Sequence, residues 1–217
     1  MLHLAATIDH TKLAADTKRE DIQQLCDEAK RFGFAAVCVP PVYVKEAATA
    51  LNGSTVAVAT VVGFPMGYQA TGAKVEETRV ALSEGATEID MVVQIAAVQN
   101  NDWALVAADV AAVLEEVRRT PGALLKVIIE TCYLNDAQLE RICQLLAKLE
   151  VDFVKTSTGY GKAGADVETV TKMRAFLPPH IRIKASGGIR SREFALHLIS
   201  AGADRIGTSS GILISQP

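Results

Sequence analysis

Short β-branched runs alternate with amphipathic stretches along the whole chain, and neither kind occurs twice in succession. The strand-like runs are ATID (6–9), AAVCV (35–39), TVAVATVV (55–62), EIDMVV (88–93), LLKVIIE (124–130), VDFVKTS (151–157), RIKAS (182–186) and RIGTS (205–209). Strands separated each time by a helical pattern are the mark of βαβ units and a parallel sheet. Eight such units in 217 residues leave about 27 residues each, close to the roughly 30 of a βαβ unit and at the lower end of (β/α)8 barrel lengths. The predicted fold is therefore an α/β chain forming one (β/α)8 barrel over residues 1–217, with no room for a second domain or a long lid. The rival is an open doubly wound sheet, which usually carries a Gly-rich fingerprint after its first strand. Here that turn reads DHTKLAAD and has no glycine.

The helical signals are legible. Thr17 with Glu20 reads as a capping box ahead of a face made of Ile22, Leu25, Cys26, Ala29 and Phe32, with Gly33 as the stop. Asn135 with Gln138 is a second box, flanked by Leu134 and Leu139 at staple positions, and Leu139, Ile142, Cys143, Leu146 and Leu149 complete its stripe. A helix starting at Ser191 is expected to bury Phe194, Ala195, Leu198 and Ile199, and Val106, Val110, Val113 and Val117 mark another that ends near Arg119.

The composition limits the partners. The chain is 49% hydrophobic and 22% charged, with a formal net charge of −3 and no block of like charges. That balance argues against nucleic acid and against a polybasic membrane contact, which both need concentrated Lys and Arg. No apolar run reaches the roughly 20 residues of a membrane span, and the start MLHLAATIDH lacks the pattern of a secretory signal. The four cysteines form no CxxC pair and the four histidines no HxH or HExxH grouping, so no metal is expected. The expectation is a cytoplasmic protein with reduced cysteines.

Barrel enzymes place their chemistry at the C-terminal strand ends, so polar residues late in apolar runs are the informative ones. Asp90 in EIDMVV, Lys155 in VDFVKTS and Lys184 in RIKAS stand out. One lysine at a strand end reads as a snorkelling surface residue. Two on consecutive strands lie on neighbours roughly 4.8 Å apart, where their charges repel. At about 4 Å and an effective dielectric of about 20 the repulsion is about 4 kcal/mol, enough to lower one lysine by up to about 3 pKa units. That favours a neutral amine able to attack a carbonyl and form a Schiff base. Asp90 is then a candidate for passing protons, through water or the second lysine.

The small-residue loops TSTGYG (156–161), SGGIR (186–190) and GTSSG (207–211) follow late strands. A tight turn also needs Gly. Three such loops around one mouth nevertheless favour a phosphate site built from backbone N–H groups and helix ends. Lys126 shares a face of LLKVIIE with Glu130 and is expected inside the barrel, adding positive charge near a phosphate or sugar. Asp9 is read as ending the first strand, where it binds a substrate hydroxyl or caps the next segment. Cys38 reads as a quiet buried thiol, and Trp103 as a packing residue.

With EIDMVV, KVIIET, VKTSTGYG, IKASGGIR and RIGTSSG in this order, the chain resembles the deoxyribose-phosphate aldolase family of class I aldolases, from IDHT (8–11) to GTSSG (207–211). The resemblance implies a (β/α)8 barrel without metal or cofactor that reversibly cleaves 2-deoxy-D-ribose 5-phosphate to D-glyceraldehyde 3-phosphate and acetaldehyde. It implies Lys155 as the Schiff-base lysine, Lys184 and Asp90 as its proton-handling partners, Gly187, Gly188, Gly207 and Ser209 as phosphate-loop residues, and a homodimer. Some members carry Lys directly after KTSTG, where this chain has Tyr160, with Lys162 two residues on. Some also carry a tail ending in Tyr; this chain ends ILISQP, so a tail-assisted proton step is not expected. Two other readings stand beside this one: another phosphosugar barrel of transaldolase-like or epimerase type, and a non-catalytic phosphosugar sensor. The paired lysines speak against a metal-dependent epimerase, and the Lys155, Lys184 and Asp90 set speaks against a sensor.

Overall fold

The computed structural model describes residues 4–216. Its strands are β1 (Ile8–Thr11), β2 (Ala36–Val39), β3 (Ala57–Val62), β4 (Glu88–Val92), β5 (Leu124–Ile128), β6 (Phe153–Lys155), β7 (Arg182–Ser186) and β8 (Arg205–Thr208). The helices between and after them are α1 (Arg19–Phe32), α2 (Val44–Ala50), α3 (Thr71–Ser83), α4 (Ile95–Gln99), α5 (Trp103–Arg118), α6 (Asp136–Lys148), α7 (Val167–Phe176), α8 (Arg192–Ser200) and α9 (Gly211–Ser215). All strand pairs are parallel, and β1 pairs with both β2 and β8, which closes the barrel. The open-sheet alternative is thereby excluded. No helix among the described residues is long and apolar enough to cross a membrane.

The helix faces form as the patterns require. Val106, Val110, Val113 and Val117 of α5 are completely buried against the sheet, as are Ile142, Cys143 and Leu146 of α6. The box opening α6 is present: Asn135 accepts the Gln138 N–H at 2.9 Å, and Gln138 accepts the Asn135 N–H at 3.1 Å. Such a cap contributes about 1 kcal/mol. Ser191 caps α8 by accepting from the Phe194 N–H, and Gly33 ends α1 at φ 68°. On α8 the fully buried residues are Ala195 and Leu198, while Phe194 and Ile199 pack half-buried at the edges.

Two local expectations are corrected. The first strand starts two residues later than read, because Leu4–Thr7 closes a 3-10 turn in which the Thr7 hydroxyl donates to the Leu4 carbonyl at 2.8 Å. Asp9 is therefore the second residue of β1 and does not end it. The Thr17–Glu20 box is also absent: the Thr17 hydroxyl donates to the Ala14 carbonyl, α1 begins at Arg19, and the Lys18 N–H is taken by the Asp21 carboxylate at 2.9 Å.

The barrel interior divides by chemistry. On the β2 and β3 side Ala36, Cys38, Ala59 and Val61 form a small apolar cluster with Phe64 against it. Elsewhere the interior carries charged groups around the buried Phe153 ring, whose centroid lies 5.9 Å from the Lys126 ammonium nitrogen. The register sets Asp90 beside Lys126 and Lys155 beside Lys184, so opposite and like charges meet across adjacent strands.

Candidate active site

Closure of the barrel gathers residues from six strands into one buried ion cluster. Asp90 lies at its centre: its Oδ1 accepts from Lys126 at 2.8 Å, and its Oδ2 accepts from both Lys155 and Lys184 at 2.7 Å. Lys184 also faces Asp9 at 2.5 Å, and Lys126 faces Glu88 at 2.5 Å. Arg205 bridges Asp9 at 2.5 Å and Glu88 at 3.2 Å. Asp9, Asp90, Lys126 and Lys184 have no exposed surface, whereas Lys155 reaches the mouth with 3%.

The charges divide the lysines. Burial alone would lower all three, since it penalises the ammonium form. At Lys184 the carboxylates of Asp9 and Asp90 outweigh burial and hold it above the ordinary lysine value. Asp90 and Glu88 do the same for Lys126. At Lys155 burial, helped by the Lys184 charge, prevails over Asp90 and holds the amine below its ordinary value. Burial would raise Asp90, but the surrounding ammonium groups keep its carboxyl well below the usual carboxylate range. Asp9 is likewise lowered, by Lys184, Lys126 and Arg205 against its burial. The arrangement thus offers one poised amine, a strongly held ammonium group beside it, and a carboxylate touching both.

Above Lys155 lies a cavity of about 460 Å³, walled by Thr11, Leu13, Tyr160 and the loops carrying Gly187, Gly188, Gly207 and Ser209. That size suits a small ligand. Gly187, at φ 88°, lies so close to the backbone of Gly164 that a Cβ would sit 2.9 Å from its Cα. Gly207 faces inward, where a Cβ would come within 3.0 Å of the Lys184 side chain, so a larger residue would fill the space over the lysines. A wider groove between α1 and α2, about 590 Å³, carries the Arg19–Glu46 ion pair at 3.1 Å, and none of the lysine cluster reaches it.

Several expected site residues meet here, and others do not. Asp90, Lys155 and Lys184 are in direct contact. The four loop residues line the cavity above them. Asp90 and Lys184 are mid-strand, however, and only Lys155 closes its strand. Asp9 and Lys126 do not line the cavity: both are fully buried inside the barrel and turn their charged atoms into the cluster. Lys162 is exposed and rests its ammonium group 5.2 Å from the Tyr133 ring. Cys38 is fully buried, and burial raises its thiol.

The sequence reading missed Glu88 and Arg205, which open their strands and look there like solvent-edge charges. Alternation was the available signal, since it puts Glu88 on the face of Asp90 and Arg205 on that of Gly207. It also gave no wall role to Tyr160, whose hydroxyl donates to the Leu13 carbonyl at 2.9 Å and whose ring edge meets Phe64.

A closed eight-stranded barrel with buried lysines under a glycine-walled mouth is the build of a barrel aldolase, a lyase. The chain belongs to the DeoC/LacD family of aldolases, whose profile matches residues 3–216. It is 49% identical over 213 residues to a deoxyribose-phosphate aldolase of Aciduliprofundum boonei, covering 98% of this chain and 96% of that one. Among solved structures it resembles the aldolase QR15 (TM-score 0.93, 37% identity, 99% and 95% of the two chains). It also resembles the deoxyribose phosphate aldolase of Aeropyrum pernix, described as a unique tetramer (TM-score 0.91, 33% identity, 98% and 89%).

Proposed function

We propose that the protein is a deoxyribose-phosphate aldolase working through a Schiff base on Lys155. The observation that carries this reading is the poised Lys155 amine at the floor of the cavity, 2.7 Å from Asp90. The neutral amine attacks C1 of the open-chain sugar, and loss of water leaves a protonated imine. The C3 hydroxyl then gives up its proton while the C2–C3 bond breaks, its electron pair moving toward the imine nitrogen to form an enamine. Glyceraldehyde 3-phosphate departs with C3 as its new aldehyde. A proton returns to C2, and water hydrolyses the imine to release acetaldehyde and the amine. Lys184, held protonated, is the proton donor, and Asp90, held ionised, is the acceptor that connects it to Lys155.

The phosphate is held at the mouth by backbone N–H groups around Gly187, Gly188, Gly207 and Ser209. The whole chain, 1–217, acts as one catalytic domain in the cytoplasm, with a small phosphosugar as its ligand and neither nucleic acid nor membrane as partner. Its assembly is a homodimer; light scattering distinguishes two chains from the four of the Aeropyrum pernix relative.

The deciding experiment is borohydride reduction in the presence of acetaldehyde, followed by peptide mass spectrometry. One two-carbon adduct on Lys155 is expected. An adduct on Lys184 or Lys126, or none at all, would sink the assignment.

A further inference from the structure

Glu130 is a buried carboxylate that takes no part in the lysine cluster. It follows β5 at φ 49° and ψ 66°, in the left-handed region that a glutamate seldom occupies, with 1% of its surface exposed. Both its carboxylate oxygens turn into the loop that follows Lys155. They accept the Thr158 N–H at 3.2 and 3.3 Å, and the Thr158 hydroxyl donates to Oε2. The same hydroxyl accepts the Tyr160 N–H at 3.0 Å. A Cβ on Gly161 would lie 3.1 Å from the Glu130 Cδ, so the loop is wrapped directly around this carboxylate.

The wrapped loop in turn holds the next one. The Ala165 N–H donates to the carbonyls of Ser186 and Gly187 at 3.0 and 3.2 Å, and Gly164 packs on the backbone of Gly187. Glu130 is thus the inner anchor of a segment, 156–165, whose far end fixes Gly187 at the cavity wall. A carboxylate close to an anion site opposes the anion by its charge. Here its oxygens are taken up by Thr158, and it sits in a backbone conformation costing on the order of 1–3 kcal/mol. Strain of that size persists where the surrounding structure needs the side chain in one place.

We propose that Glu130 is a positioning residue for phosphate recognition: through Thr158 it sets the 156–165 segment so that the Gly187 loop presents its N–H groups to the phosphate. The proposal rests on the aldolase reading above for its substrate, but the loop geometry can be tested without turnover. The test uses Glu130→Leu, which removes the acceptors. It also uses Thr158→Val, which keeps the shape and removes the hydroxyl, with Thr158→Ser as the conservative control.

Two readouts are taken on the full-length protein: the affinity for inorganic phosphate by calorimetry, and kcat and KM for deoxyribose 5-phosphate and for unphosphorylated deoxyribose. Glu130→Leu should weaken phosphate binding and raise KM for the phosphorylated sugar by roughly tenfold or more, the scale of losing hydrogen bonds to a buried charged group. The change on deoxyribose should be several-fold smaller. Thr158→Val should follow in the same direction, and Thr158→Ser should recover most of the loss. Equal losses on both sugars, unchanged phosphate affinity, or no recovery with serine would overturn the proposal. If Glu130→Leu does not fold, Thr158→Val and Thr158→Ser decide by the same measurements. A native protein that binds phosphate with this dependence yet traps no acetaldehyde would leave the positioning role standing and remove the aldolase reading.

Discussion

Replacing Lys184 with methionine removes one charge from the cluster while leaving its hydrocarbon length. Neither partner carboxylate is stranded, because Asp9 keeps Arg205 at 2.5 Å and Asp90 keeps Lys126 and Lys155. The variant should therefore fold. Both ammonium nitrogens lie 2.7 Å from the same Asp90 oxygen, so they are separated by at most twice that length. At about 5 Å and an effective dielectric of about 20 the repulsion is about 3 kcal/mol. Burial, the larger cause of the lowered Lys155 value, is untouched. The sign follows: the Lys184 charge lowers Lys155, so its removal raises Lys155, and the neutral fraction at pH 7 falls by up to about 100-fold, the equivalent of that repulsion. The assay is kcat/KM against pH from about 6 to about 10, with borohydride trapping at each point. The expected profile is low at pH 7 and climbs about one decade per pH unit toward a limit displaced to higher pH. A profile that stays low and flat at high pH, with normal trapping at pH 7, would refute the tuning argument and leave Lys184 as a proton shuttle only.

The cavity wall gives a second test. Gly188 has open space where a Cβ would point, at φ 76°, so Gly188→Glu adds a negative charge at the mouth; it should reduce cleavage of the phosphorylated sugar at least about tenfold more than that of deoxyribose, the scale of one unit-charge repulsion. Equal losses would make the loops plain turns. Asp9→Asn tests the cluster as a stability device. Its folded carboxyl is lowered, so its contribution is complete above the ordinary carboxylate value near 4 and is lost as pH falls below that. Calorimetry should find the variant melting on the order of 10 °C lower at pH 7, because Lys184 and Arg205 each lose one of their two carboxylate partners, with the gap narrowing toward pH 3. A gap that stays constant with pH would exclude ionisation as the source.

The fold was legible because strand and helix signals alternate without a break, and the structure places a strand in every one of the eight runs. What misled was local. Leu4–Thr7 carries strand-like residues but has no sheet partner to pair with, and β1 begins where β8 offers Ile206 and Gly207. That shift moved Asp9 from an imagined strand tip to the barrel interior. Facing was the second difficulty. Strands of a helix-covered parallel sheet are buried on both faces, so polarity does not announce which residues point inward. In RIKAS the alternation groups Lys184 with Arg182 and leaves the direction open; closure of the barrel supplies it. The contact of Asp9 with both Lys184 and Arg205 exists only because β1 returns to β8, a neighbour nearly two hundred residues away.

Closure also explains why a single lysine is the poised one. Three carboxylates, Asp9, Glu88 and Asp90, face four cations, Lys126, Lys155, Lys184 and Arg205, in the ion-paired cluster among the described residues. With every group ionised the cluster carries a surplus positive charge in a water-poor interior, where uncompensated charge is costly. Loss of one proton removes the surplus, and the partners determine which proton leaves. Lys126 is held by Glu88 and Asp90 with Asp9 beyond, and Lys184 by Asp9 and Asp90, whereas Lys155 meets Asp90 alone within the cluster and shares it with the other two. Lys155 is also the lysine that opens on the cavity. The amine that the cluster holds least tightly is the one a carbonyl can reach, and the groups that keep Lys126 and Lys184 charged are what leave Lys155 free to be neutral.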